Sequence, residues 1–321
     1  MEIPKDLLSA SREAARSLEA FLASLKPGTE LAGWIEPWFA LNDWLRAAEA
    51  FDDTCRFLIR PQQQSATVYC TDPSSRLRAD LKTLRSAVFF SATLLPMDYF
   101  RDLLGGDTGD DSAVFDSPFA PDQMRLRILA ADITYKNRAT SLDAVANAVA
   151  EHVQSVPGNH LVFCPSMAYL NDLSAKLQAL LPEEVLLTQT SGMPDAERSA
   201  FLDSFQPASR RTALAVLGGI FSEGIDLPGD RLVGVTVIGS GLPRLSLERD
   251  ILQAHFEEKK GSGFDYAYRF PGMQRVLQAA GRLIRTETDK GSALLVDQRF
   301  LEPRHQNFFP SWWRISQTIK P

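Results

Sequence analysis

From about residue 125 onward, short apolar runs alternate with helical stretches, and this alternation constrains the fold more than any other feature. Strands are predicted at 126–130, 160–164, 185–189, 212–217, 232–238 and 292–296, with helices between them at 142–153, 168–181, 195–205, 246–258 and 272–285. The strand runs are apolar throughout rather than alternating, so both of their faces must be covered. Strands interleaved with helices satisfy that need as a parallel sheet sandwiched between helical layers. In such sheets ligands gather beyond the carboxyl ends of the strands.

The preceding third reads differently. Leu7, Leu8, Ala14, Ala15, Leu18, Phe21, Leu22 and Leu25 form a stripe at helical spacing, broken at Lys26-Pro27-Gly28-Thr29. A second helix is expected from Pro37 to Phe51, and the aromatic stripe Trp34, Trp38 and Trp44 reads as core packing rather than base-stacking groups. The runs CRFLIRP and ATVYCTDP predict two short strands, and SSRLRADLKTLRSA predicts a helix opened by Ser74 or Ser75. AVFFSAT predicts a buried strand, and GGDTGDDS at 105–112 a loop. The loop 257–264 is expected to be flexible, and the aromatic tail FFPSWWRI at 308–315 to pack on the domain. The expected organisation is a helical segment at 1–52, connecting strands at 53–115 and an α/β domain at 116–321.

The formal net charge is −6, so the chain as a whole is no basic sheath for duplex DNA, although local basic patches still bind phosphate. Cys55, Cys70 and Cys164 lack the CxxC spacing of a zinc site and are read as reduced thiols. No run approaches the roughly 20 apolar residues of a membrane span. The N-terminus has early acids and no signal-type apolar stretch, which reads as a cytoplasmic protein.

Four elements carry candidate chemistry. In QAAGRLIR, Gln278 to Arg285, two arginines three apart would share one helical face, and Gly281 would admit a neighbouring surface. Arg282 and Arg285, projecting into a cleft, would neutralise charge on a transferring phosphoryl group; otherwise they are surface arginines on an amphipathic helix. In GGIFSEGIDLPGD, Gly218 to Asp230, Ser222 and the amides near Gly218 and Gly219 can hold a phosphate. Asp226 can accept from a ribose hydroxyl, and Glu223 can orient water or pair with an arginine; the plainer alternative is a glycine-rich turn with solvated acids. Ser91-Ala92-Thr93 either caps the following segment or links two domains. Ser166, just past a predicted strand end in LVFCPSM, can contact a phosphate.

Taken together and in this order, SAT, FCPS, SEGID and QxxGRxxR resemble the XPD/DinG branch of superfamily 2 helicases over about residues 55–300. The resemblance implies a RecA-like three-layer domain with a mostly parallel sheet, preceded by a helical segment. It implies that ATP and Mg²⁺ lie between this domain and a first RecA-like domain, joined in cis or supplied in trans. Arg282, Arg285 and Gln278 match the motor motif that reaches the nucleotide. Glu223, Gly224 and Asp226 match the motif touching ATP, and Ser91, Ala92 and Thr93 the coupling motif. Ser166, Gly218, Gly219 and Ser222 match single-stranded DNA contacts, with 5′→3′ movement. The 321 residues contain no GxxxxGK[ST] loop, no DEAH box and no four-cysteine iron–sulfur set. A C-terminal motor portion, inactive alone, is therefore expected, with no metal site of its own and no membrane partner. The alternative is a stand-alone RecA-like module that binds nucleic acid or a partner without ATPase activity.

Overall fold

The computed structural model describes residues 2–26, 32–182, 185–221 and 227–321. Two helices open it, α1 (Lys5–Ser24) and α2 (Ala32–Glu49), packed along each other. α2 starts upstream of Pro37 and carries that proline inside it. Phe21 and Trp34 meet edge-to-face at 5.0 Å between ring centroids. Trp38 and Trp44 are half-buried, but Trp34 is exposed, contrary to the expectation of core packing. Among the described residues, no third layer covers the outer face of this helical pair.

A hairpin follows, with β1 (Cys55–Arg60) antiparallel to β2 (Ser65–Cys70). The register sets Cys55 opposite Cys70, so two thiols that are distant in sequence become neighbours. α3 (Ser74–Leu81) begins at the predicted serine, whose amide donates to Asp72 Oδ1 at 3.0 Å.

The AVFF run overturns its prediction. Residues 86–91 form no strand, and Val88 and Phe90 are 81 % and 89 % exposed. An apolar run becomes a buried strand only where an open sheet edge accepts its backbone groups. No strand of this chain stands beside it among the described residues. α4 (Met97–Leu103) then leads through the predicted loop to the sheet.

The remaining elements are β3 (Met124–Leu129), α5 (Leu142–Ser155), β4 (His160–Cys164), α6 (Met167–Leu180), β5 (Val185–Thr188) and α7 (Asp195–Asp203). They continue as β6 (Arg211–Val216), β7 (Gly234–Ile238), α8 (Leu247–Lys260), α9 (Phe270–Ala280), β8 (Gly291–Val296), α10 (Pro303–Gln306) and β9 (Ile315–Ile319). Seven strands form one sheet in the order β5-β6-β4-β7-β8-β3-β9, and every pairing is parallel.

Successive side chains of a strand point to opposite faces, and β4 feeds both cores accordingly. Leu161 and Phe163 join Phe201 of α7 and Met273, Val276 and Leu277 of α9 on one face. Val162 and Cys164 join Val145 and Val149 of α5 and Leu170 and Leu173 of α6 on the other. The aromatic tail packs as expected, with Phe308 and Trp313 buried in the first core. The segment 257–264 is more ordered than predicted. α8 continues to Lys260, Gly261 closes it at φ +63°, and a π-helical turn at Asp265–Arg269 runs straight into α9.

Candidate functional site

Parallel strands deliver their carboxyl ends to one edge of the sheet, and the glycine and serine turns collect there. Ser166 follows β4 and caps α6, its Oγ accepting from the Tyr169 amide at 3.3 Å. Gly218 follows β6 with φ +78°, and a Cβ there would stand 3.1 Å from the Arg275 guanidinium carbon. Its left-handed backbone favours glycine at this position, and the Arg275 guanidinium lies close against it. Arg275 also reaches the Gly241 carbonyl after β7 at 3.5 Å. Beside Gly219, Gln189 at the end of β5 accepts from the Val216 amide at 2.9 Å. Ser222, Glu223, Gly224 and Asp226 lie outside the described residues.

α9 begins at this edge because two glycines let backbones touch. A Cβ on Gly241 would fall 2.4 Å from the Gly272 carbonyl oxygen, and one on Gly272 would fall 2.7 Å from the Ser240 carbonyl oxygen. The helix then runs away from the carboxyl edge, with Gln278 exposed on it, and its chain continues to the amino end of β8.

Here the structure corrects the expectation that Arg282 and Arg285 share a helical face. α9 stops at Ala280, with Gly281 as its C-cap. Arg282 is buried at 8 % exposure, whereas Arg285 is exposed. A carboxylate acceptor fixes the turn that follows. The Arg285 and Thr286 amides donate to Asp289 Oδ2 at 2.7 and 2.8 Å instead of continuing the helical ladder. Thr286 Oγ1 adds a bond to Asp289 Oδ1 at 2.8 Å. Gln123, just before β3, ties the same turn from the other side, its Nε2 donating to the carbonyls of Thr286, Glu287 and Asp289. Burial pushes the Asp289 carboxyl up, but the Arg285 amide and the Thr286 donors outweigh it and hold the pKa below the usual range.

The SAT residues lie on the exposed segment rather than at the end of a strand. Ser91 Oγ accepts from the Thr93 amide at 3.2 Å, forming a local turn. Four residues past Ser91, the Leu95 carbonyl accepts from Gln274 Nε2 at 2.6 Å. Tyr99 packs edge-on against Tyr266 and Phe270 beneath it. The segment that carries Ser91, Ala92 and Thr93 is thus fastened to α9 at Gln274, one helical turn before Gln278. Gln274 and Arg275 were missed in the sequence; the only signal was the QR pair one turn before Gln278.

Among the described residues no group of three His, Cys, Asp or Glu side chains could hold a metal ion. Likewise, among the described residues no helix is long and apolar enough to cross a membrane.

A seven-stranded, all-parallel sheet with helices on both faces, glycine turns at its carboxyl edge and an arginine-bearing turn beyond α9 defines a RecA-like α/β domain. A family model described as the helicase C-terminal domain matches residues 149–316, and the chain belongs to this family, in the XPD/DinG-type branch of superfamily 2. It is 28 % identical over 222 residues to the ATP-dependent DNA helicase YoaA of Escherichia coli K12, covering 67 % of this chain and 33 % of that protein. It is 26 % identical over 273 residues to the XPD/RAD3 helicase subunit of general transcription and DNA repair factor IIH of Saccharomyces cerevisiae, covering 76 % of this chain and 33 % of that protein. A solved XPD helicase structure overlays all of this chain and 56 % of its own length, with TM-score 0.65 at 16 % identity. The chain spans about a third of the length of these two curated relatives.

Proposed function

We propose that this chain is the C-terminal motor half of an ATP-dependent 5′→3′ DNA helicase, working with a first RecA-like domain that grips ATP and Mg²⁺. The observation that carries this reading is the course of α9. It starts against the glycine turns of the carboxyl edge, is bonded through Gln274 to the SAT segment, and ends at the arginine turn. One rigid element therefore links the residues assigned to strand contact (Ser166, Gly218, Gly219 and Ser222) to those assigned to the nucleotide (Gln278, Arg282 and Arg285). Glu223, Gly224 and Asp226 complete the ATP contacts, and Ser91, Ala92 and Thr93 carry the coupling. The adjoining exposed side chains Val88, Phe89 and Phe90 support a docking contact with the first domain, since a contiguous exposed apolar patch marks an interaction surface where a single residue would not.

Arg285 is exposed on a stapled turn, which suits a cation that reaches out of its own domain to a phosphoryl group. Magnesium would neutralise phosphate charge from the first domain's side; this chain brings guanidiniums. With no phosphate-loop lysine in its sequence, the pure chain is expected to hydrolyse ATP negligibly, with or without DNA. In the complete enzyme, Arg285→Ala should lower kcat for ATP by roughly 10³–10⁵ while strand affinity changes little. DNA-stimulated ATP turnover by the pure chain, or strand binding lost with turnover intact in Arg285→Ala, would sink this assignment.

A further inference from the structure

The turn between β3 and α5 has no part in the contacts assigned so far, yet it is built as a presentation device. Asp132 accepts from the Thr134 amide at 3.0 Å and from Asn137 Nδ2 at 2.7 Å. The Asn137 and Arg138 amides both donate to the Thr134 carbonyl, at 3.0 and 2.9 Å. Ser141 Oγ closes the turn onto the Asp132 carbonyl at 3.0 Å. At its tip Tyr135 is 82 % exposed, and the Arg138 guanidinium lies 4.3 Å from the ring centroid. Lys136 stands exposed beside it.

An aromatic ring held in water by an ordered turn loses the burial that ordinarily rewards it. One face of this ring is covered by a cation and the other is open. Bases stack on such platforms whatever their identity, because each has a π-face, while arginine and lysine meet the phosphates. The turn's position agrees. Its root residue Ile133 packs beside Gly239 at the end of β7, where Pro165, the neighbour of Ser166, also arrives. Tyr135 therefore belongs to the same carboxyl edge as Ser166.

From this geometry we infer that Tyr135, backed by Arg138 and flanked by Lys136, is a stacking site for a base of single-stranded DNA crossing the carboxyl edge. The inference rests on the strand-contact role proposed for that edge. Tyr135 stacks the base, Arg138 holds the ring from behind and adds positive charge, and Lys136 meets the backbone. Recognition is by π-face and phosphate, so the site would be tolerant of sequence.

The test is fluorescence anisotropy of the full chain with labelled oligothymidylate, and with the same backbone carrying abasic sites. Tyr135→Ala should weaken binding to oligothymidylate by roughly fivefold or more and leave binding to the abasic strand nearly unchanged. Tyr135→Phe should bind like the unmodified chain, and Arg138→Ala should fall between. Photocrosslinking to a 5-iodouracil strand should tag the peptide containing Tyr135, a readout independent of the variants' folding. If Ser166→Ala weakens binding but Tyr135→Ala does not, and the crosslink falls elsewhere, this inference fails while strand contact at the edge stands. If the unmodified chain does not retain the strand at all, both fail together. A Tyr135→Ala loss that is equal on the abasic strand, or tighter binding to RNA than to DNA that disappears with Tyr135, would overturn the stacking or the DNA assignment respectively.

Discussion

At the scale of single residues, Asp289 decides what Arg285 can do. It is a buried carboxylate that accepts three bonds from a turn whose amides would otherwise have no partner. A hydrogen bond contributes about 0.5–1.5 kcal/mol net, so losing an acceptor that takes three from part-buried donors costs about 1–3 kcal/mol. Asp289→Ala should therefore lower unfolding stability by about that amount and speed hydrogen exchange at the Arg285 and Thr286 amides first; urea denaturation and native-state exchange measure the two. The sign with pH follows from the depressed carboxyl. The folded protein holds Asp289 ionised more strongly than the unfolded chain does, so its stabilisation is present above the ordinary carboxylate range, near pH 4, and is lost as the pH falls below it. Unchanged amide exchange in Asp289→Ala would show that the turn is held by Gln123 alone. None of this was legible from QAAGRLIR. Helical periodicity runs on through Leu283 and Ile284, and nothing in the run itself announces an acceptor further along the chain.

At the scale of elements, strands and helices were read well wherever burial on both faces wrote an unbroken apolar run. β4 has its predicted bounds, and α5 and α6 differ from theirs by one or two residues. The failures share one cause, which is that the partner of a segment is not written in the segment. AVFF has the composition of a core strand but no neighbouring edge among the described residues, and ISQTI, polar and exposed on its edge, pairs with β3 without an apolar signal. At the candidate site, Ser166, Gly218 and Gly219 were legible because strand ends locate them, while Gln274 and Arg275 needed the tertiary contacts of α9. The close approach of Gly241 and Gly272 makes α9 a sensitive element. Gly272→Ala drives a methyl group into the Ser240 carbonyl, a clash with backbone that no rotamer relieves, and overpacking of this kind costs about 1–3 kcal/mol. The helix should shift, and exchange of the amides around Leu95 should accelerate as the Gln274 bond loosens. A variant with unaltered melting temperature and unaltered exchange there would show that α9 is not clamped at this point.

At the scale of the whole molecule, the question is which part of the chain folds by its own means. Among the described residues, both hydrophobic cores of the sheet draw on residues from Phe119 onward. The earlier segment is attached through three ion pairs, Arg60 to Glu248, Lys259 to the buried Asp72, and Lys260 to Asp102 at 2.9 Å, beside the ring contacts of Tyr99 and the Gln274 bond to Leu95. Two of these three pairs are partly exposed on both sides, and pairs of that kind contribute little, whereas burying the rings of a core contributes much. We therefore propose that residues 116–321 form an independently folding domain, and that a chain cut to them should still melt in one cooperative transition, followed by circular dichroism. The cut should cost some stability all the same, because it strips Tyr99 from Tyr266 and Phe270 and leaves those two rings facing water. Replacing Tyr99 by alanine in the full chain should reproduce most of that loss, which separates the aromatic contact from the ion pairs. A non-cooperative melt of the 116–321 chain, with exposed-dye binding in place of a native baseline, would mean that the hairpin and helices before it are part of the fold rather than an attachment to it.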